Sequence, residues 1–350
     1  MVNLRLRRVG LPVAVSALVA AVAVTGTIIA NGTAGAETAA PGPDPGYAAI
    51  QQAAFVAHKN AKKKPAKKLA RAAAGAPTDE LKFGDLTGDG KADLAAVDST
   101  GVLWVYPGKA YRWDGQGTRS TSLFETRFKV GGGWAKFTSL VRHGDFDSDG
   151  KQDVLVRDSA GVLFLYAGTG TTPSVLGKGK QVGTSWGSFT SIVGGGDLNL
   201  DGKDDLLGQK SNGDLLLYAN TGNPAVPFTK GKIIGTGFRG SLLTTVGDWT
   251  YDLRPEFMFR NTQNVVRKYE SKSGEMPIGG SEIVVDATGG SVLTNMIGMG
   301  DLTSDETYEP LPDVLLQGQD GSLTMYSWDW DPASPEATKV GRGWGAYRLF

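Results

Sequence analysis

The chain has 350 residues, enough for two or three average domains or for one larger β architecture with a long leader. Its 36 basic and 36 acidic residues cancel, so the total charge implies no strongly basic or acidic partner and no specific nucleic-acid role. It has no cysteine, which excludes disulfides and a lipoprotein anchor and leaves an exported fold in need of another staple.

Charge is unevenly placed. Arg5, Arg7 and Arg8, then Lys59, Lys62, Lys63, Lys64, Lys67, Lys68 and Arg71, make the N-terminal region basic, and the chain from Pro77 onward is correspondingly acidic. A basic segment at Arg5 to Arg8, an apolar stretch from Val9 to Ala30 and the small residues Ala34-Gly35-Ala36 fit a secretory signal peptide over residues 1–36. An uncleaved anchor is the alternative, because the stretch is almost long enough to span a bilayer. Pro12, Thr25 and the small-residue site favour cleavage, giving a secreted chain with no mature membrane span.

Residues 37–78 read as a linker: a Pro/Gly run from Pro41 to Gly46, then an Ala/Lys stretch from Ala48 to Ala76 with no apolar face to bury. It is a solvated spacer or, through its lysines, an attachment to an anionic cell wall.

From Leu81 onward the sequence repeats. Gly84-Asp85-Leu86-Thr87-Gly88-Asp89-Gly90-Lys91-Ala92-Asp93 returns at Gly144 to Asp153 and again at Gly196 to Asp205, with weaker copies at Gly247-Asp248 and Gly300-Asp301. The first acids are 60, 52, 51 and 53 residues apart. After each comes a short apolar run, a Gly or Asn turn such as Ser99-Thr100-Gly101 or Asn212-Gly213, and a second run ending in Tyr, which is a β-hairpin. A further strand follows, marked by Trp134, Trp186, Phe238 and Trp344. Four strands per ~50-residue unit predict an all-β chain, a β-propeller of five four-stranded blades over residues 79–350. At the C-terminus Trp344 leads only to Phe350, and the continuation equivalent to Val141–Gly144 is supplied by Leu81–Gly84. The C-terminal segment is therefore predicted to complete the first blade and close the ring, removing exposed sheet edges.

The repeated D-x-[DN]-x-D-G-x-x-D spacing suits Ca²⁺, which takes six to eight oxygens in a tight loop with Gly at the sharp turn. The second copy offers Asp145, Asp147, Asp149, the Lys151 carbonyl and Asp153; the third offers Asp197, Asn199, Asp201, the Lys203 carbonyl and Asp205. The first offers Asp85, Thr87, Asp89, the Lys91 carbonyl and Asp93. The fourth has Leu253 in place of Gly and the fifth carries an insertion before Asp313, so about three structural calcium sites are expected. Asp/Gly turns without an ion are the plainer alternative, but crowding carboxylates in one loop is costly without a cation.

Phe83-Gly84-Asp85 and the G-D-[LF]-x-x-D-G-x-x-D loops resemble the FG-GAP/VCBS repeat family, the calcium-loop propeller repeats of integrin α-chain heads and of some fungal and bacterial lectins. The resemblance covers residues 81–350, and the N-terminal arrangement is similar to that of exported actinobacterial proteins. It implies an adhesive or ligand-binding scaffold. Many relatives have seven blades where this sequence shows five.

Catalytic residues are scarce. His58 lies in the linker, and His143 stands where the other copies have Phe83, Gly195, Val246 and Met299, a packing or surface position. Gly183-Thr184-Ser185-Trp186-Gly187 matches a nucleophile elbow by letters but belongs to a repeat strand. Residues that depart from the repeat are better pointers to a ligand: Tyr111 and Trp113 in the first blade, Trp328 and Trp330 in the last, which either stack on sugar faces or protein partners or else cover a blade edge. Arg157, Gln209, Arg260 and Gln317 form a polar series in the hairpins, interrupted by Val97, that bonds neighbouring blades or forms equivalent ligand sites. The reading is a secreted binding or adhesion module for glycans or extracellular proteins. The alternatives are a polysaccharide-active hydrolase or lyase, which needs a pocket with two free carboxylates, and a structural extracellular adaptor.

Overall fold

A computed structural model of the chain describes residues 83–109, 122–249, 254–270, 279–286, 292–302, 311–328 and 336–350. The expected leader and linker, and Tyr111, Trp113 and Trp330, lie outside the described residues.

The strands fall into five antiparallel sheets. The first holds β1 (Leu94–Val97), β2 (Leu103–Tyr106) and β3 (Phe128–Gly131). The second holds β4 (Phe137–Val141), β5 (Val154–Asp158), β6 (Leu163–Tyr166) and β7 (Lys180–Gly183). The third holds β8 (Phe189–Gly196), β9 (Asp205–Lys210), β10 (Leu215–Tyr218) and β11 (Lys232–Gly235), and the fourth β12 (Gly240–Gly247), β13 (Glu256–Asn261), β14 (Val265–Glu270) and β15 (Gly279–Asp286). The fifth holds β16 (Leu293–Gly300), β17 (Asp313–Gly318), β18 (Leu323–Ser327) and β19 (Glu336–Gly341), and the last strand, β20 (Arg348–Leu349), returns to the first sheet. The orders are β20-β1-β2-β3, β4-β5-β6-β7, β8-β9-β10-β11, β12-β13-β14-β15 and β16-β17-β18-β19: a five-bladed propeller.

Burial explains the strand sequences. The second strand of each blade is covered on both faces by its neighbours and is a continuous apolar run, Leu94-Ala95-Ala96-Val97 in the first blade. The third strand alternates, buried at Leu103 and Val105 and half-buried at Trp104 and Tyr106. Among the described residues the core is five apolar layers, each shared by adjacent blades; one joins Leu94 and Ala96 to Ile297 and Leu315, so the last blade packs on the first. Burial of each Leu, Ile or Val side chain contributes roughly 1.5 to 3 kcal/mol. The recurring turn aromatics sit in these layers, Trp134 on Tyr166 at 4.9 Å, Trp186 on Tyr218 at 4.6 Å and Trp344 on Tyr106 at 5.2 Å.

Closure follows the predicted scheme. Leu349 and Arg348 pair with Ala96 and Val97, and Phe350 exchanges both backbone hydrogen bonds with Ala95 at 2.9 and 3.0 Å. The Asp93 amide then donates to Gly84 O at 3.0 Å, matching Asp153 to Gly144 at 2.8 Å in the second blade. One inner strand is thus assembled from the two ends of the repeat region.

The hairpin polar series bonds neighbouring blades. Arg157 Nη1 donates to Trp186 O at 3.0 Å and Phe189 O at 2.6 Å, Gln209 Nε2 to Phe238 O and Gly240 O, Arg260 Nη1 to Leu293 O at 2.7 Å, and Gln317 Nε2 to Trp344 O at 2.7 Å. Where Val97 breaks the series, its cross-strand partner Arg348 takes over, donating from Nη2 to Trp134 O at 3.0 Å and from Nη1 to Phe137 O. Every junction in the ring therefore has a side-chain donor directed at the turn that opens the next blade.

Trp328 corrects one expectation. It is 2 % exposed and packs edge-on against Trp249 at 4.5 Å, in the layer with Val246, Met296 and Leu316. It covers the blade edge and is closed to a ligand.

Arg348→Ala removes the donor at the junction of the first and second blades and is expected to lower unfolding stability in urea by about 1 to 2 kcal/mol. An unchanged midpoint would show that this clasp contributes nothing.

Candidate metal loops and the axial cavity

The loops follow the inner strands of the first three blades. Two residues in each turn the chain sharply: position 4 (Gly88, Ser148, Leu200) and position 6 (Gly90, Gly150, Gly202) all have φ between 62° and 84°. Position 6 was expected from the motif. Position 4 was not, since Ser and Leu give no sign that they hold a left-handed conformation.

These turns aim backbone amides at the first acid. Asp85 accepts from Gly88 at 2.7 Å and Gly90 at 2.8 Å, Asp145 from Asp149 at 3.0 Å and Gly150 at 2.6 Å, and Asp197 from Asp201 at 3.0 Å and Gly202 at 2.8 Å. The fifth-position acid pairs with the lysine two residues on: Asp89 with Lys91 at 3.2 Å, Asp149 with Lys151 at 3.0 Å and Asp201 with Lys203 at 3.6 Å. In the second loop Asp145, Asp147 and Asp149 bring one carboxylate oxygen each within 4.8 Å of one another. Burial, then the neighbouring acids, pushes the Asp145 and Asp147 carboxyls above the usual range. In the third loop Asn199 Nδ2 donates to Asp201 at 3.3 Å and to Asp205 at 3.4 Å.

The ninth-position acids have a second task. Asp93, Asp153 and Asp205 are fully buried. In the second loop Asp153 Oδ2 accepts from Phe146 at 2.8 Å and Asp147 at 3.2 Å while Oδ1 accepts from Gly168 at 2.7 Å. Asp93 likewise ties Leu86 and Thr87 to Gly108, and Asp205 ties Leu198 and Asn199 to Asn220. The strut persists where the ligand pattern fails, as Glu256 accepts from the Trp249 amide at 2.6 Å and Asp313 from Leu302 at 2.8 Å. Of the weaker copies, Asp252, Thr303 and Asp305 lie outside the described residues.

Along the ring axis a cavity of about 500 Å³ is walled by the inner strands, among them Ser139, Arg142, Ser191, Asn295 and Arg348. No Asp or Glu lines it, so a two-carboxylate hydrolytic mechanism has no seat there among the described residues. His143, which also lines it, is buried, and desolvation with the adjacent Arg142 charge holds its pKa well below the usual histidine range.

Burial raises the ninth-position acids, Asp93 to about 6 and Asp153 and Asp205 to about 7. An acid whose folded pKa is raised stabilises the fold only while protonated: the contribution is complete below about pH 4 and is lost as pH rises through 6 to 7. In chelator, the thermal midpoint is expected to rise as pH falls from about 8 to about 5.5, and the Asp153→Asn, Asp205→Asn double variant is expected to flatten that slope. An equal slope in the variant would assign the effect elsewhere.

Residues 85–156 and 145–207 match the family model described as FG-GAP-like repeat. No curated protein matches the chain in sequence. Among solved structures it is similar to AofleA from Arthrobotrys oligospora, at 11% identity and TM-score 0.41 over 75% of this chain and 72% of that one. It is similar also to the BP39L lectin from Burkholderia pseudomallei, at 14% identity and TM-score 0.38 over 74% and 68% of the two chains. A third is an alpha-L-arabinofuranosidase from Clostridium thermocellum, at 9% identity and TM-score 0.43 over 72% and 94%. The loops of the first three blades thus lie within FG-GAP-like repeats carried on a five-bladed β-propeller.

Proposed function

We propose that the chain is a secreted, calcium-stabilised propeller that binds glycans or extracellular proteins. The observation that carries the calcium reading is the convergence of Asp145, Asp147 and Asp149 on one point, with the sharp left-handed turn at Gly150 that such a loop requires. The Lys151 carbonyl would add a further oxygen. Equivalent roles fall to Asp85, Thr87, Asp89 and the Lys91 carbonyl, and to Asp197, Asn199, Asp201 and the Lys203 carbonyl. The ninth acids, Asp93, Asp153 and Asp205, support the cage from behind through the amides they hold and offer a carboxylate edge to it. Ca²⁺ would neutralise the crowded acids of each loop.

A binding role is favoured over a catalytic one by where the acids lie. Those of the three loops are engaged with loop amides, and the axial cavity has none. The signal-like segment 1–36 supports export, and the basic linker over 37–78 would hold the ring near an anionic cell wall.

Extracellular modules bind Ca²⁺ at about 10⁻⁴ to 10⁻³ M. Excess EDTA is expected to lower the thermal midpoint by many degrees, with recovery in millimolar Ca²⁺ and not in millimolar Mg²⁺. Asp145→Asn with Asp149→Asn should remove most of the recovery contributed by the second loop. A midpoint indifferent to EDTA overturns metal-dependent stability. The binding role is tested by probing glycan arrays and purified cell-wall polymers with the full chain in Ca²⁺: saturable retention supports it, and release of reducing sugar from those polymers would replace it with hydrolysis.

A further inference from the structure

The eighth position of each loop lies between the two groups expected to close the cage, the carbonyl of position 7 and the acid of position 9. There each blade meets the one before it. In the second blade Gln152 is buried and its Oε1 accepts from the Gly84 amide at 3.2 Å, one residue ahead of the first acid of the first loop. In the third blade Asp204 Oδ2 accepts from the amide of Asp145, itself the first acid of the second loop, at 2.6 Å. The fourth and fifth blades carry Pro255 and Pro312 at this position, and these rings lie against the preceding Gly196 and Gly247, where an added Cβ would stand 2.9 and 3.4 Å from Cγ. The first blade carries Ala92, which lies in the apolar layer with Leu302 of the fifth.

The chemistry at this position follows the ligand pattern. Where a loop and its predecessor both keep acids at positions 1, 5 and 9 with Gly at 6, the eighth residue is a hydrogen-bond acceptor; where either copy is degenerate it is Pro or Ala and the contact is apolar. Adhesion between blades does not require the polar version, since the other junctions do without it. Asp204 also sets a further carboxylate beside a loop that already holds Asp145, Asp147 and Asp149, a placement that is unfavourable until a cation enters the loop. A second contact runs the same way. Asp205, the strut of the third loop, accepts from the Asn220 amide at 2.9 Å, and Asn220 Nδ2 donates to Phe146 O at 3.4 Å inside the second loop. Gly108 and Gly168 stand in the place of Asn220 in the first two blades and have no side chain to do this.

We propose that the loops of the first three blades bind their cations cooperatively, with Gln152 and Asp204 as the residues that couple them; the proposal rests on calcium occupying those loops. A cation in the third loop draws on the Lys203 carbonyl and Asp205, which fixes Asp204 between them. Asp204 then holds the Asp145 amide, so the first ligand of the second loop is ordered before its own cation arrives. Lys151, Gln152 and Asp153 pass the same constraint to Gly84 and Asp85. Each filled loop removes ordering cost from its neighbour, and the neighbour raises its affinity in return by the same factor. The second and third loops, joined by two contacts, are the more tightly coupled pair.

The full chain, freed of metal, is titrated with Ca²⁺ by calorimetry, both as it stands and with the third loop disabled by Asp197→Asn and Asp201→Asn. Disabling the third loop is expected to weaken binding at the two intact loops by about fivefold or more. The same comparison made in an Asp204→Ala chain is expected to show a much smaller loss. Unchanged affinity at the intact loops, or a loss of equal size in the Asp204→Ala chain, overturns the coupling and leaves calcium binding standing. A wild-type chain that binds no Ca²⁺ overturns both. If Asp204→Ala does not fold, Gln152→Ala with the second loop disabled by Asp145→Asn and Asp149→Asn puts the same question to the first loop, and a first loop indifferent to the second overturns the coupling equally.

Discussion

A blade of four strands leaves two open edges and two apolar faces, and a row of five blades leaves the outer faces of its first and last members uncovered. The composite inner strand answers this constraint. Phe350 pairs with Ala95 and Gly84 with Asp93, so residues from opposite ends of the repeat region complete one strand and seat the fifth blade against the first. Without that joint the layer containing Leu94, Ile297 and Leu315 would lie open to water.

The remaining features are arranged around the closed ring. At the end of the axis where each inner strand begins, a side chain from the preceding blade donates to carbonyls of the opening turn: Arg157, Gln209, Arg260, Gln317 and Arg348 in their respective junctions. At the other end each inner strand runs into an acidic loop or its degenerate copy, and a buried carboxylate at the ninth position ties that loop to the segment beyond the third strand. The loops are thus anchored before any ion is considered. This division explains why the ninth acid survives as Glu256 and Asp313 in copies whose other ligand positions are lost. It also leaves the Asp145, Asp147 and Asp149 carboxylates crowded on the rim with one lysine, Lys151, paired to Asp149, which is the arrangement a divalent cation would relieve.

Much of this was legible in the sequence because a repeat reports its own structure. The spacing of the first acids set the blade count, the Gly and Asn turns set the hairpins, and the mismatch between Trp344-to-Phe350 and Leu81-to-Gly84 revealed the closure. The hairpin series was legible as a series, but its fifth member was not. Arg348 stands opposite Val97 across a strand pair, and only the register places them together. Trp328 departs from the repeat and so resembled a ligand contact, yet its partner Trp249 departs too, at the second position of the fourth loop, and the two indoles compensate each other in the core. Sequence alone cannot tell a pair of compensating departures from two exposed ones.

Closure by the composite strand is tested most directly by amide hydrogen exchange on the native full chain, following Asp93, Ala95 and Phe350 against Asp153 and Leu155 in the second blade. A closed ring predicts that the first blade's amides are protected to the same degree as their counterparts and exchange with them in one cooperative unit. Fast exchange at Ala95 and Phe350 while Leu155 stays protected would contradict it, and would mean that the first and last blades meet without sharing a strand.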